Sequence, residues 1–163
     1  MPTADGWMQR ISEMLSRMHE LAVESNDATK GDADRTNIEA DFSALKSEIN
    51  RIVDSAAKFN GKGLLNGSVG GVTQVGADSG QTTSLNISNL STVVDSIGGV
   101  ATASAANAVI TETVQTQTDA VATTRASVGG LQSRFENTRS GLLNYEDNIR
   151  SAESKIRDVD ATR

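Results

Sequence analysis

The chain has 163 residues, a net charge of −6, 37% hydrophobic and 3% aromatic residues, and no cysteine. That length suits one domain, and so few aromatics predict a thin seam between helices in place of a thick globular centre. The acidic balance with scattered basic residues argues against nucleic acid, and the lack of cysteine excludes disulfides, thiolate nucleophiles and Cys-type zinc sites.

The first residues, Met1 to Gly6, lack the basic region and apolar run of a secretory signal. Residues 4–25 read as a helix. Trp7, Ile11, Met14, Met18, Leu21 and Ser25 alternate spacings of four and three, and Met8, Leu15 and Ala22 widen the stripe. Arg10, Glu13, Arg17, Glu20 and Glu24 take the opposite face. Asn26 to Gly31 is a turn-rich break. A second helix over 33–58 is capped by Asp32 or Asp34 and carries the stripe Ile38, Phe42, Leu45, Ile49, Ile52, Ala56 and Phe59. Asn60-Gly61 stops it, because either residue takes the left-handed conformation.

The period then changes. Across 61–88 glycine is dense, and Val72 to Val75 and Thr83 to Ile87 alternate apolar and polar residues around the turn-rich Gly76 to Gln81. This predicts a small β-hairpin, with room for a third short strand near Leu64. Residues 89–101 read as a connector with a short helical turn.

The long helix over 102–160 organises the rest. Steps of seven from Val114 reach Val121, Val128, Phe135, Leu142, Ile149 and Ile156, all apolar. Steps of seven from Ile110 reach Gln117, Thr124, Leu131, Thr138, Tyr145, Ala152 and Val159, none charged. A heptad pattern held this long marks a helix with a buried seam. At 1.5 Å per residue it is roughly 85 Å long, against ~33 Å and ~37 Å for the first two helices. The expected fold is therefore mainly α: an elongated three-helix antiparallel bundle with a small β-hairpin region, its long helix overhanging at Ile149, Ile156 and Val159. Gly129-Gly130 should not break the helix, since the heptad phase continues across the pair. Close packing of a neighbouring helix or of the hairpin is the expected reason for the two glycines, with a kink as the alternative.

No catalytic pattern emerges, so no enzyme, cofactor or metal is expected. His19-Glu20 lacks a second histidine four residues on, where Val23 stands, and His19 reads as a lone exposed side chain. Asp32 and Asp34 do not make a calcium loop, because Ser43 occupies the position of the closing carboxylate. The glycine-rich stretch has no Gly-Lys-Ser/Thr, and no Gly-x-Ser-x-Gly elbow occurs. Asn66-Gly67-Ser68, Asn86-Ile87-Ser88 and Asn89-Leu90-Ser91 match the short glycosylation sequon. Asp158 and Asp160 read as surface charges, and no apolar run is long enough to cross a membrane.

Five stretches, Leu15 to Ser25, Asp34 to Gly67, Gln74 to Gln81, Arg125 to Phe135 and Ala152 to Asp160, resemble in the same order those of bacterial flagellins. Leu15-Ser16-Arg17-Met18-His19-Glu20-Leu21-Ala22-Val23-Glu24-Ser25 is similar to their first-helix motif, with His19 in place of the usual Arg. Asp34-Arg35 through Phe42 to Leu45, Glu48 to Ile52, Phe59-Asn60-Gly61 and Leu64 to Gly67 resembles the next segment. Gln74 to Gln81 resembles the flagellin hairpin, and Arg125 to Phe135 and Ala152 to Asp160 resemble the C-terminal helix. The resemblance implies the inner helical-rod domain of the filament subunit, an extracellular structural protein that associates with other flagellin subunits for motility. It also implies that terminal assembly segments and most outer domains are missing, so that the chain alone should not form filaments. It further implies recognition by the innate immune Toll-like receptor for flagellin. The family's receptor-contacting Arg and Leu fall on Arg17 and Leu21, and its Glu falls on Asp41, one methylene shorter. With Glu24 these are the candidate receptor or subunit interface. A hook–filament junction protein and a secreted coiled-coil adhesin or translocator are the alternatives. The adhesin would lack strands between residues 61 and 88.

Overall fold

In the computed structural model, residues 2–76 and 79–160 are described, excepting the side chains of residues 2, 85, 93, 111, 112 and 158–160. The elements run α1 (Pro2–Asn26), α2 (Asp32–Arg51), a π-helical turn (Ile52–Ala56), β1 (Lys58–Phe59), β2 (Lys62–Gly63), β3 (Gly70–Gln74), β4 (Thr82–Asn86) and α3 (Ser91–Asp95). A single helix follows, made of α4 (Ala103–Ala108), a second π turn (Val109–Thr113) and α5 (Val114–Asp160).

Helix α1 is the shared middle, packing on α2 on one side and on α4 and α5 on the other. Its buried line is Ala4, Met8, Ile11, Leu15, Met18, Leu21, Ala22 and Ser25, whereas Trp7 and Met14 are only half-buried. The centre of the apolar face thus lies on the residues expected merely to widen it, because a helix gripped from two sides buries a broad arc. Helix α5 runs antiparallel to α1: Arg125 Nε donates to Asp5 Oδ1 at 2.9 Å, while Val114 and Thr118 lie beside Ser16 and His19. His19 is half-buried there, more covered than its sequence context suggests.

Helix α2 starts one residue earlier than expected and uses its aspartates differently. Gly31 is the N-cap, and Asp34 reaches back so that its Oδ2 accepts from the Gly31 N–H at 3.1 Å. Asp32 sits in the first turn, where the helix dipole favours negative charge. Ile38, Phe42 and Ile49 face α1, and the helix gives way to the π turn that buries Ile52 and Val53.

Asn60-Gly61 does not end a helix. Asn60 (φ 50°) and Gly61 (φ 78°) form the two-residue turn of a hairpin in which Lys58 pairs with Gly63 and Phe59 with Lys62. A two-residue loop with positive φ at both positions matches strand twist, which is why Asn-Gly is favoured there. Phe59 accordingly leaves the α2 stripe and is 68% exposed. The third short strand expected near Leu64 is β2, just before it.

The larger hairpin pairs β3 with β4, from Gly70 opposite Asn86 to Gln74 opposite Thr82. Its expected turn includes Ala77 and Asp78, which lie outside the described residues. Strands between 61 and 88 weigh against the adhesin alternative.

The long helix is continuous through Gly129-Gly130, as its heptad phase predicts. The expected packing reason for those glycines fails: a Cβ on either would meet nothing within 4 Å. Nothing in the structure explains the pair. The π turn has a clear role, since it lets Val109 and Val114, five residues apart, both face the core, with Val114 N–H bonded to the Val109 carbonyl.

Along α5, Val114, Val121, Thr124 and Val128 are buried and Leu131, Phe135 and Thr138 half-buried. From 139 to 157 every residue is exposed, including Leu142 at 40%, Tyr145 at 52%, Ile149 at 50% and Ile156 at 75%. The overhang is real, but it begins before Ile149. Because α1 starts opposite Arg125, its cover is spent along α4 and the first part of α5, leaving about 28 Å of helix bare. The Val159 side chain lies outside the described residues.

Candidate interaction surfaces

The helical register of α1 puts Arg17, Leu21 and Glu24 three and four residues apart, on neighbouring parts of one face. Helix α2 brings Asp41, Ala44 and Leu45 to the same edge, so that Arg17, Leu21 and these three line a shallow groove of about 330 Å³. Leu21 is 3% exposed and forms the groove's floor, with Arg17 and Asp41 exposed at the rim. Arg17 Nη1 donates to Glu20 Oε2 at 2.7 Å. That bond and the Glu20 charge hold the guanidinium pKa above its ordinary value, with Glu24 and Asp41 adding to it. Asp41 therefore lies within electrostatic reach of Arg17. Glu24 does not line the groove but links its rim to Lys30: its Oε1 accepts from Lys30 Nζ at 2.7 Å and raises the Lys30 pKa. The rim is thus an exposed ion-pair network, which is weakly held and free to exchange partners.

The second surface is the bare face of α5, where Ile149, Ala152, Glu153, Ile156 and Arg157 outline an apolar hollow. Intrahelical pairs, Arg150 with Glu146 at 2.6 Å and Arg157 with Glu153 at 2.5 Å, flank the apolar line. They stiffen the helix locally by a few tenths of a kcal/mol each and leave the apolar side uncovered.

One set of residues escaped sequence reasoning. The connector is not a loose link: Leu90, Val94, Ile97 and Val100 are buried. Ser25 Oγ donates to the Val100 carbonyl at 2.6 Å, Lys46 Nζ donates to the Ile97 carbonyl at 2.5 Å, and Glu39 Oε2 accepts from the Val100 N–H. Gly99 makes room for this, because a Cβ there would lie 2.8 Å from Glu39 Oε1. The available signal was a serine inside an apolar stripe and a Glu and Lys seven residues apart on α2.

Among the described residues no group of three or more His, Cys, Asp or Glu side chains could hold a metal, and no helix is long and apolar enough to cross a membrane. A groove of about 480 Å³ between the two hairpins is lined by Thr3, Phe59, Asn60, Lys62, Val72 and Ile87, with Lys62 the one titratable group on it among the described residues.

Comparison with known proteins agrees with this architecture. Residues 1–70 match the bacterial flagellin N-terminal helical region and residues 111–163 match the bacterial flagellin C-terminal helical region. A flagellin of Halalkalibacterium halodurans is 36% identical over 170 residues, spanning 99% of this chain and 60% of that protein. A flagellin of Treponema pallidum is 30% identical, over 98% of this chain and 62% of that protein. A flagellar filament core protein of Treponema maltophilum is also 30% identical, over 96% and 60%. The chain therefore spans about three fifths of the length of these relatives. The crystal structure of Bacillus cereus flagellin superposes with a TM-score of 0.77 at 23% identity, covering 84% of this chain and 80% of that one. That structure supports the fold, and the two matched regions are the two arms of the bundle, α1–α2 and α5. With both arms matched in order and relatives aligned along nearly the whole chain, this protein belongs to the bacterial flagellin family.

Proposed function

We propose that the chain is a structural subunit of the extracellular bacterial flagellar filament, working by lateral and axial packing against other flagellin subunits and not by catalysis. The observation that carries this is the bare apolar line Leu142, Tyr145, Ile149 and Ile156 on α5. A seam of this kind on a monomer marks a protein contact. The heptad spacing suits a helical partner, whose knobs would fill the holes between these residues. The test is incorporation. A chain carrying Ile149→Cys, the sole cysteine, is spin-labelled and mixed with flagellin subunits growing from filament seeds. Co-sedimentation with an immobilised label supports the proposal; a chain left in the supernatant with a freely tumbling label refutes it.

A second reading concerns the α1–α2 groove. Arg17, Leu21 and Asp41 line one surface, which favours a contact with the Toll-like receptor for flagellin. Arg17 is the accessible charge; Leu21, being buried, acts by shaping the groove floor. Asp41 supplies a carboxylate with shorter reach than the family's Glu, and charged hydrogen bonds depend on reach. In a receptor reporter assay Arg17→Ala should abolish the response and Asp41→Glu should strengthen it. An unchanged response to Arg17→Ala, from a chain that signals, sinks this reading.

A further inference from the structure

The sequence holds two Asn-Gly pairs, Asn60-Gly61 and Asn66-Gly67. Asparagine before glycine is chemically vulnerable, since no side chain shields the following backbone nitrogen. That nitrogen can attack the asparagine Cγ. The N–Cγ bond forms, the Cγ–Nδ2 bond breaks, the backbone amide proton passes to solvent and Nδ2 departs as ammonia. Water then opens the resulting five-membered succinimide at either carbonyl, leaving an aspartyl or an isoaspartyl residue.

The two pairs sit in different surroundings. Asn66 is half-buried, and its Oδ1 accepts from the Ser68 N–H at 3.1 Å. Its amide packs so tightly against Gly63 that a Cβ there would lie 2.4 Å from Nδ2. The segment is also pinned just before Asn66, with Leu65 fully buried and its carbonyl accepting from the Leu90 N–H at 2.8 Å. Asn60 has none of this restraint. It stands exposed at the tip of the β1–β2 hairpin, between exposed Phe59 and Lys62, and a Cβ on Gly61 would meet nothing within 4 Å. The attack needs rotation of the Asn60 backbone out of its left-handed conformation. What resists that rotation is a ladder of two residue pairs, closed at its base by the Leu64 N–H donating to the Ala57 carbonyl at 2.7 Å, and so short a pairing at an exposed tip opens readily.

We propose that Asn60 is a site of spontaneous deamidation in the folded protein and that Asn66 is protected. The product carries a new negative charge between Lys58 and Lys62. The isoaspartyl form also adds a methylene to the main chain, which the two-residue turn cannot accommodate, so the hairpin carrying Phe59 opens.

The experiment incubates the intact chain at mildly alkaline pH, folded and in urea, and follows both asparagines by tryptic mass mapping. Trypsin releases Phe59-Asn60-Gly61-Lys62 apart from the peptide holding Asn66. Isoaspartyl product is scored by methyltransferase labelling, and Asn60→Gln supplies the blank for the first site. In urea the two sites should convert at similar rates. Folding should slow Asn66 on the order of ten-fold or more, as expected when reaction waits for local opening, and slow Asn60 by no more than about three-fold. Equal protection of both sites, or faster conversion of Asn66 in the folded chain, overturns the proposal.

Discussion

Val121 and Ile149 occupy the same heptad stripe, four steps of seven apart, yet Val121 is fully buried and Ile149 is 50% exposed. Truncating each to alanine separates packing from pattern. Val121→Ala removes two methyl groups from a site enclosed against α1. At about 0.8 kcal/mol per buried methylene equivalent, with a cavity term added, the expected cost is about 2 kcal/mol. For a chain of this size that lowers Tm by roughly 4–8 °C. Ile149→Ala removes side-chain atoms that already face solvent, and alanine is the better helix former by a few tenths of a kcal/mol, so stability should hold or rise slightly. The assay is urea unfolding followed by helical circular dichroism and by fluorescence of Trp7, the only tryptophan, which is partly buried against the core on α1. The midpoint should fall for Val121→Ala with an unchanged m-value and stay put for Ile149→Ala. Equal losses at the two positions would mean that the end of α5 is packed within the chain, and a silent Val121→Ala would mean that the α1–α5 seam is not the core.

Replacing Gly129 and Gly130 together by alanine should stabilise the chain by about 1–2 kcal/mol, because the helix is continuous there and added methyl groups meet nothing; a lower Tm would reveal a packing need for the pair. Deleting Thr111 should be tolerated, since Val109 and Val114 would then stand four apart and keep the buried line of a regular α-helix; loss of the cooperative transition would show that the π turn is required. The Asp27 carboxyl is held below its ordinary pKa by the Thr29 backbone N–H and then the Thr29 hydroxyl, both at 2.8 Å. A depressed carboxylate contributes its stability in full above the unfolded-state pKa and loses it as pH falls through the folded value. A carboxyl-detected NMR titration should place the Asp27 midpoint below the ordinary range, and Thr29→Ala should move it upward while the backbone bond remains; a midpoint that does not move removes the hydroxyl from the explanation.

The helices and the apolar side of each were legible because each follows a 3.6-residue or heptad period, but the period does not say whether that side is covered, since Val121 and Ile149 share one stripe. The α5 overhang followed from lengths alone, but its starting point did not. That depends on where α1 begins alongside α5, a matter of register that the Asp5–Arg125 contact makes visible. Asn60-Gly61 misled because the same left-handed preference serves a helix end and a hairpin turn, and the pairing of Phe59 with Lys62 decides between them. The clamp on the connector was invisible because it joins Ser25, Glu39 and Lys46 to main-chain groups 51 to 75 residues away. The groove residues Arg17, Leu21 and Asp41 came from family resemblance, and helix packing brings them to one surface. The apolar stripe of α1 already included Leu21, which agrees with its place at the bottom of that surface, whereas the resemblance treated it as a contact residue.

Amide hydrogen exchange along α5 tests most directly whether the bare end of this helix is an assembly surface. In the free chain, amides around Val114 to Val128 should exchange slowly and those of residues 139–157 quickly. On incorporation into filaments with flagellin subunits, the 139–157 amides should become strongly protected while the Val114 to Val128 stretch changes little. Strong protection of 139–157 already in the free chain, or fast exchange persisting there in sedimented filaments, would contradict the assignment.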